Sequence, residues 1–221
     1  MQKTQQMLKE EVARAAVDAL QDNVLLGVGT GSTVDCFIDA LAGSGKRIRA
    51  AVASSVRSAD RLIKHGIQVV ELGSLGESLD VYVDGADEIE PGLAMIKGGG
   101  AALTREKIVA SASKGFICIV DESKLVGRLG AFPLPIEVIE MAIGPVSRAL
   151  VAMGGKPVVR PGVITDNGHP IIDVHGLQME DPLAWEDRFN ALPGVVTNGV
   201  FARQRATLAL VASHQGVRSL R

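Results

Sequence analysis

Between residues 84 and 107 the chain carries Asp84-Gly85-Ala86-Asp87-Glu88, Lys97-Gly98-Gly99-Gly100 and Thr104-Arg105-Glu106-Lys107. Asp84, Asp87 and Glu106 can take up and return protons, and Lys97 supplies a fixed positive charge. Gly98, Gly99 and Gly100 present backbone N–H groups that no side chain screens. These groups suit proton shuttling on a polyhydroxylated anion that passes through an enediolate, whose oxygens need positive charge and N–H donors. Gly85 lets the backbone turn tightly enough for both aspartates to face one cleft. Plainer readings stand beside this one. Asp87 and Glu88 can open a solvated loop, and Glu106 can be a first-turn carboxylate favoured by the helix dipole. A metal at the Asp pair would lack His or Cys partners. A Schiff base on Lys97 would want an apolar, desolvated place, whereas its surroundings read as polar.

Gly27-Val28-Gly29-Thr30-Gly31-Ser32-Thr33 joins an apolar run to a helical pattern. Such a turn aims free N–H groups and the positive end of the helix dipole at an anion. A dinucleotide fingerprint fails here. The third glycine position holds Ser32 or Val34, and the second strand ends at Ser54-Ser55, where a ribose-binding acid would be wanted. The hydroxyls of Thr30, Ser32 and Thr33 suit a terminal phosphate or sugar hydroxyls instead. A tight turn with an N-cap hydroxyl is the structural alternative.

The elements that position these residues follow from periodicity. Helical spacing covers about 5–20, 32–42, 56–65 and 103–113. Buried strands cover 24–29, 48–53, 67–71, 79–83 and 116–120. Apolar strands alternating with helices predict a Rossmann-like α/β domain, a mostly parallel sheet with helices on both faces. Phe132-Pro133-Leu134-Pro135 reads as a linker. Beyond it the order is strand (136–141), helix (145–153), strand (157–161), an Asp166-Asn167-Gly168 turn, strand (170–174), helix (182–191) and strand (195–202). That order predicts a smaller ferredoxin-like α+β domain. A last strand at 208–211 should return to the first sheet. The expected boundaries are 1–131 with 206–221 for the catalytic domain, and 132–205 for the smaller one.

With 47% hydrophobic residues the chain can build a substantial core, and with 3% aromatics and a formal charge of −2 it carries no base-stacking surface or basic field for nucleic acid or membrane. Cys36 and Cys118 lie in apolar runs and read as reduced core thiols. His65, His169, His175 and His214 fit no block of the site, and Trp185 and Tyr82 read as core residues. No apolar run is long enough to span a bilayer and the first residues carry no signal region, so a cytoplasmic location is expected.

Thr30-Gly31-Ser32-Thr33, Asp84–Glu88, Lys97–Leu103 and Thr104–Lys107 resemble the signature blocks of ribose-5-phosphate isomerase type A. The likeness runs on through Asp121-Glu122-Ser123-Lys124, Phe132–Pro135 and Val163–Gly168, in order along nearly the whole chain. The resemblance implies interconversion of D-ribose 5-phosphate and D-ribulose 5-phosphate with no metal and no cofactor. It implies Glu106 as the carbon base, Asp84 in ring opening, and Asp87 and Lys97 at O1 and O2. Substrate contacts would come from Thr30, Gly31, Ser32, Thr33, Gly85, Ala86, Gly98, Gly99, Gly100 and Lys124. Lys9 is a further candidate for which a plain surface role is equally open. A phosphorylated pentose is then the only partner besides a second copy of the chain in a homo-oligomer, most simply a dimer. The rival reading is a non-catalytic sugar-phosphate sensor, which would not need the carboxylates and lysine together. Acyl-CoA transferase and hexosamine-phosphate deaminase chemistries are further rivals on a similar architecture.

Overall fold

Short apolar runs become strands and amphipathic runs become helices in the order α1 (Gln5–Ala19), β1 (Val24–Val28), α2 (Ser32–Gly43), β2 (Ile48–Ala53), α3 (Val56–Lys64), β3 (Val81–Asp84), β4 (Glu88–Ile89), β5 (Met95–Ile96) and α4 (Leu103–Ser111). There follow β6 (Phe116–Asp121), β7 (Leu134–Val138), α5 (Ile143–Ala152), β8 (Lys156–Val159), β9 (Ile171–His175), α6 (Pro182–Asn190), β10 (Val195–Asn198), β11 (Val200–Phe201), β12 (Leu208–Ser213) and β13 (Gly216–Leu220). The structure is a computed structural model and describes residues 3–221. Contacts divide the chain into one unit of residues 1–86, 105–125 and 206–221, and another of residues 87–104 and 126–205.

The first unit is an α/β layer structure. Its sheet has the order β13-β12-β6-β3-β1-β2, parallel throughout except for β13, which runs antiparallel to β12 at one edge. β1 and β6 are buried along their whole length, as strands of a sheet covered on both faces must be. α1 is stopped at its start by Thr4, whose hydroxyl accepts from the Met7 N–H, and buries Leu8, Val12, Ala13, Ala16 and Val17. These pack in one core with Leu26, Val28, Phe37, Ile38 and Ile119. Each such large side chain contributes about 1.5–3 kcal/mol by leaving water. The run at 67–71 does not form a strand. Only Val69 bridges to Ala51, with single bonds from Ala51 N–H to Gln68 O and from Val70 N–H to Ala51 O.

The second unit contains the four-stranded antiparallel sheet β10-β7-β9-β8, with α5 between β7 and β8 and α6 between β9 and β10. This is the ferredoxin-like arrangement. Its core gathers Leu134, Ile136, Val138, Val146, Leu150, Ile172, Val174 and Phe189. The expected linker at 132–135 is instead the entry to β7. Pro135 sits opposite Asp173 of β9, before the pairing with β10 begins at Ile136, and its carbonyl accepts from the Gly199 N–H. A proline there forfeits no ladder bond to β10. The expected strand at 195–202 breaks at Gly199 into β10 and β11, which belong to different sheets. β11 joins β5 and β4 in a small three-stranded sheet. That pairing, with the Val126 N–H on Ile89 O, places 87–104 and 126–131 among the contacts of the second unit rather than the first.

Candidate active site

In the first unit the chain leaves β1 for β2 on one side and returns to β3 on the other. The loops after β1 and β3 therefore diverge, and ligands of open α/β sheets bind at such a switch point, beyond the carboxyl ends of the strands. Both loops carry expected site residues. Asp84 is the last residue of β3 and is fully buried. Its Oδ1 accepts the N–H of Thr30 at 3.1 Å and of Gly85 at 2.7 Å, and its Oδ2 accepts the Tyr82 hydroxyl. A Cβ on Gly29 would stand 1.9 Å from the Asp84 Cγ, so only glycine lets the carboxyl lie across this turn.

Tyr82, read from sequence as a core residue, is 0% exposed and is also a ligand of Asp84. Burial, then the charges of Asp84 and Glu106, hold its phenol well above the ordinary tyrosine value, so it stays a donor at neutral pH. The same balance makes Asp84 and Glu106 electrostatic neighbours of one phenol. Glu106 lies in the first turn of α4 and is 3% exposed, unlike an ordinary solvated first-turn carboxylate.

The glycine loop is braced from the next strand. Ser54, Ser55 and Ser58 are buried. The Ser58 hydroxyl donates to Gly29 O at 2.6 Å, and the Thr30 hydroxyl meets all three serines. Thr30 thus has both its N–H and its hydroxyl engaged within the fold, whereas the sequence reading offered that hydroxyl to a terminal phosphate or to sugar hydroxyls. Ser55 caps α3, accepting from the Ser58 N–H. α2 has no capping side chain. Its N-cap is Gly31 at φ 121°, and Ser32 is its first residue. The Lys9 ammonium donates to the Ser32 hydroxyl at 2.9 Å, which brings the weakest of the sequence candidates onto this helix N-terminus. Thr33, half-buried, follows in the same turn. Lys124 ends a 3-10 turn capped by Asp121, whose Oδ1 accepts the Ser123 N–H at 3.0 Å. Gly85 and Ala86 are half-buried and continue directly from Asp84.

The other expected residues lie in the second unit. Asp87 Oδ2 accepts the Gly99 N–H at 2.8 Å, and a Cβ on Gly99 would fall 2.6 Å from Asp87 Oδ1. The glycine is what allows this approach. Gly98 is buried, while Gly99 and Gly100 are exposed. Lys97 is 2% exposed, and its ammonium lies 5.5 Å from the centre of the Phe201 ring. This place is drier than the glycine-rich sequence suggested, and it removes polarity as the reason for setting a Schiff base aside. Glu88 does not open a solvated loop. It is 3% exposed and accepts the N–H of Gly130 at 2.8 Å and of Phe132 at 2.5 Å, pinning the segment that enters β7. Sequence reading missed Tyr82, Ser58 and Glu88 as supports, because none stands out by type or spacing. Among the described residues no group of three or more His, Cys, Asp or Glu is placed to hold a metal ion. Among them, too, no helix is long and apolar enough to cross a membrane.

Residues 50–216 match the family model of ribose 5-phosphate isomerase A (phosphoriboisomerase A). The chain is 56% identical to ribose-5-phosphate isomerase A of Bordetella avium, over 98% of each sequence. The crystal structure of ribose 5 phosphate isomerase A from Neisseria gonorrhoeae superposes with a TM-score of 0.98 at 48% identity, covering 100% of this chain and 98% of that one. A D-ribose-5-phosphate isomerase solved in complex with phospho-erythronic acid superposes with a TM-score of 0.95 at 38% identity, covering 99% of this chain and 100% of the other.

Proposed function

We infer that this chain, which belongs to the ribose 5-phosphate isomerase A family, interconverts D-ribose 5-phosphate and D-ribulose 5-phosphate. The observation that carries the reading is kinship over essentially the whole chain, whose sequence carries Asp84, Asp87, Lys97 and Glu106. It disfavours the sensor, which has no use for that set.

The reaction moves a proton between C1 and C2 of an open-chain sugar. One carboxylate on one face of a cis-enediolate can serve both carbons, and we assign this to Glu106. Its low exposure supports the role, because a base kept from water is not solvated away from carbon. Ring opening needs a group that passes a proton between the ring oxygen and O1. Asp84, held by three donors, is suited to it. Asp87 and Lys97 would move protons and balance charge on O1 and O2, with the N–H groups of Gly98 to Gly100 assisting. Acid/base assistance of this kind is worth about 10²–10⁴-fold, and one preorganised oxyanion donor about 10²–10³-fold. Ser32 and Thr33 at the start of α2, with Lys9 and Lys124, would hold the phosphate. The Lys9–Ser32 bond supports that placing. Binding energy from the phosphate orients the reacting carbons. The phospho-erythronic acid complex of a relative fits the same reading, since that ligand is a phosphorylated sugar acid.

The test is formation of ribulose 5-phosphate from ribose 5-phosphate in EDTA, with ammonia release from an amino-sugar phosphate and CoA transfer run alongside. Turnover in EDTA is expected. Phosphosugar binding without turnover would overturn the isomerase reading in favour of the sensor. A homo-oligomer is carried over from the same resemblance and a cytoplasmic location is the expectation of the sequence reading; light scattering and cell fractionation would test them.

A further inference from the structure

Arg160 is absent from every set of site residues named so far. It follows β8, and its guanidinium forms a two-point pair with Asp173 of β9, Nε to Oδ2 at 2.8 Å and Nη2 to Oδ1 at 2.6 Å. Its remaining nitrogen, Nη1, donates to Gly98 O at 3.0 Å and to Gly99 O at 3.3 Å. The side chains of Arg160 and Asp173 are 14% and 18% exposed, so the pair is largely withdrawn from water. No cis peptide bond occurs among the described residues. In a trans peptide the C=O of one residue and the N–H of the next point in opposite directions. Fixing Gly98 O on the guanidinium therefore turns the Gly99 N–H the other way, where it meets Asp87 Oδ2 at 2.8 Å. Fixing Gly99 O does the same for the Gly100 N–H. A cation on a carbonyl oxygen also polarises its peptide and strengthens the N–H on the far side.

We propose that Arg160 is a positioning residue of the isomerase, locked by Asp173, which aims and strengthens the Gly99 and Gly100 N–H donors and thereby fixes Asp87. The proposal rests on the function inferred above. Lysine cannot replace it, because a point charge cannot grip Asp173 at two points and reach both carbonyls.

The experiment measures kcat and KM for ribose 5-phosphate in wild type, Arg160→Ala, Arg160→Lys and Asp173→Asn, with Tm as a folding control. Arg160→Ala should lose about 100-fold in kcat, the scale of a small misplacement of reacting groups, with KM changed less than about threefold. Millimolar guanidinium should restore part of that kcat. Arg160→Lys and Asp173→Asn should each lose about tenfold in kcat, since each leaves only part of the grip. Arg160→Ala with near-wild-type kcat, or with a loss that guanidinium does not relieve, would overturn the proposal. If Arg160→Ala does not fold, an unchanged kcat in Asp173→Asn overturns it instead. An inactive wild type would count against the function itself, whereas an active wild type indifferent to Arg160 counts against this assignment alone.

Discussion

Replacing Tyr82 by Phe removes one hydroxyl from the floor of the site and nothing else. The hydroxyl donates to Asp84 in a place with no access to water, so the carboxyl oxygen it served cannot turn to solvent. A hydrogen bond to a charged group contributes about 1.5–3 kcal/mol. At pH 7 the variant should be less stable by that amount, which for a chain of this size lowers Tm by about 3–12 °C. The gap should depend on pH in one direction only. Below about pH 10 the phenol keeps its proton in both folded and unfolded chains, and the difference is constant. Above that, the unfolded chain releases the proton while the folded one retains it, because burial and the charges of Asp84 and Glu106 hold the phenol well above its ordinary value. Wild type then loses about 1.4 kcal/mol of stability per pH unit from this group, and the Phe variant does not. The two should converge about one to two units above pH 10. Urea unfolding followed by circular dichroism between pH 7 and 11.5 reads this directly. Tryptophan fluorescence does not, since Trp185, the single tryptophan, belongs to the second unit. Equal stability at pH 7, or a gap that stays constant through pH 11, would refute the reasoning.

Other expectations can be checked by ordinary kinetics and melting. Glu106→Gln should lower kcat by about 10²–10⁴-fold while calorimetry shows phosphosugar binding largely unchanged; near-normal turnover would remove Glu106 as the carbon base. Gly29→Ala drives a methyl group into Asp84, 1.9 Å from its Cγ, and should cost about 1–3 kcal/mol in stability. The same substitution should cut kcat by about 100-fold, and activity within a few-fold of wild type would show that Asp84 need not lie where it does. Glu88→Gln sets an amide NH2 against one of the two N–H groups that Glu88 now accepts, and should cost about 1–3 kcal/mol, read as a fall in Tm.

The architecture was legible where burial and period coincide. β1, β6 and the helices that cover them follow from runs such as Val24–Val28, because a strand buried on both faces has no polar residue to blur it. The ferredoxin-like order was legible from alternation and from the Asn167-Gly168 turn. What escaped were elements too short for a period. β4, β5 and β11 have two residues each and exist only by pairing, β5 with its near neighbour β4 and with β11 about a hundred residues on. β13 has no buried residue and no apolar alternation to announce it, and it pairs with β12 as its template. Pro135 misled for a related reason: a proline forbids an N–H donor, and whether a strand needs one there is decided by its neighbour, not by its own sequence.

The site divides along the same line. The residues proposed to do the chemistry were visible because that chemistry resides in the side-chain type: a carboxylate, an ammonium group, a glycine run. Residues that hold them in place were not, because support is a property of a pair. Tyr82 is an ordinary strand tyrosine until its hydroxyl is seen on Asp84, two residues on and on the same face of β3. Ser58 is an ordinary helix serine until it meets Gly29, 29 positions away, and Arg160 reaches Gly98 across 62. No local pattern encodes separations of that size. The glycines are the exception that connects the two classes. A side chain at Gly29 or Gly99 would occupy the space of Asp84 or Asp87, so the missing Cβ in the sequence is the imprint of a carboxylate in the fold.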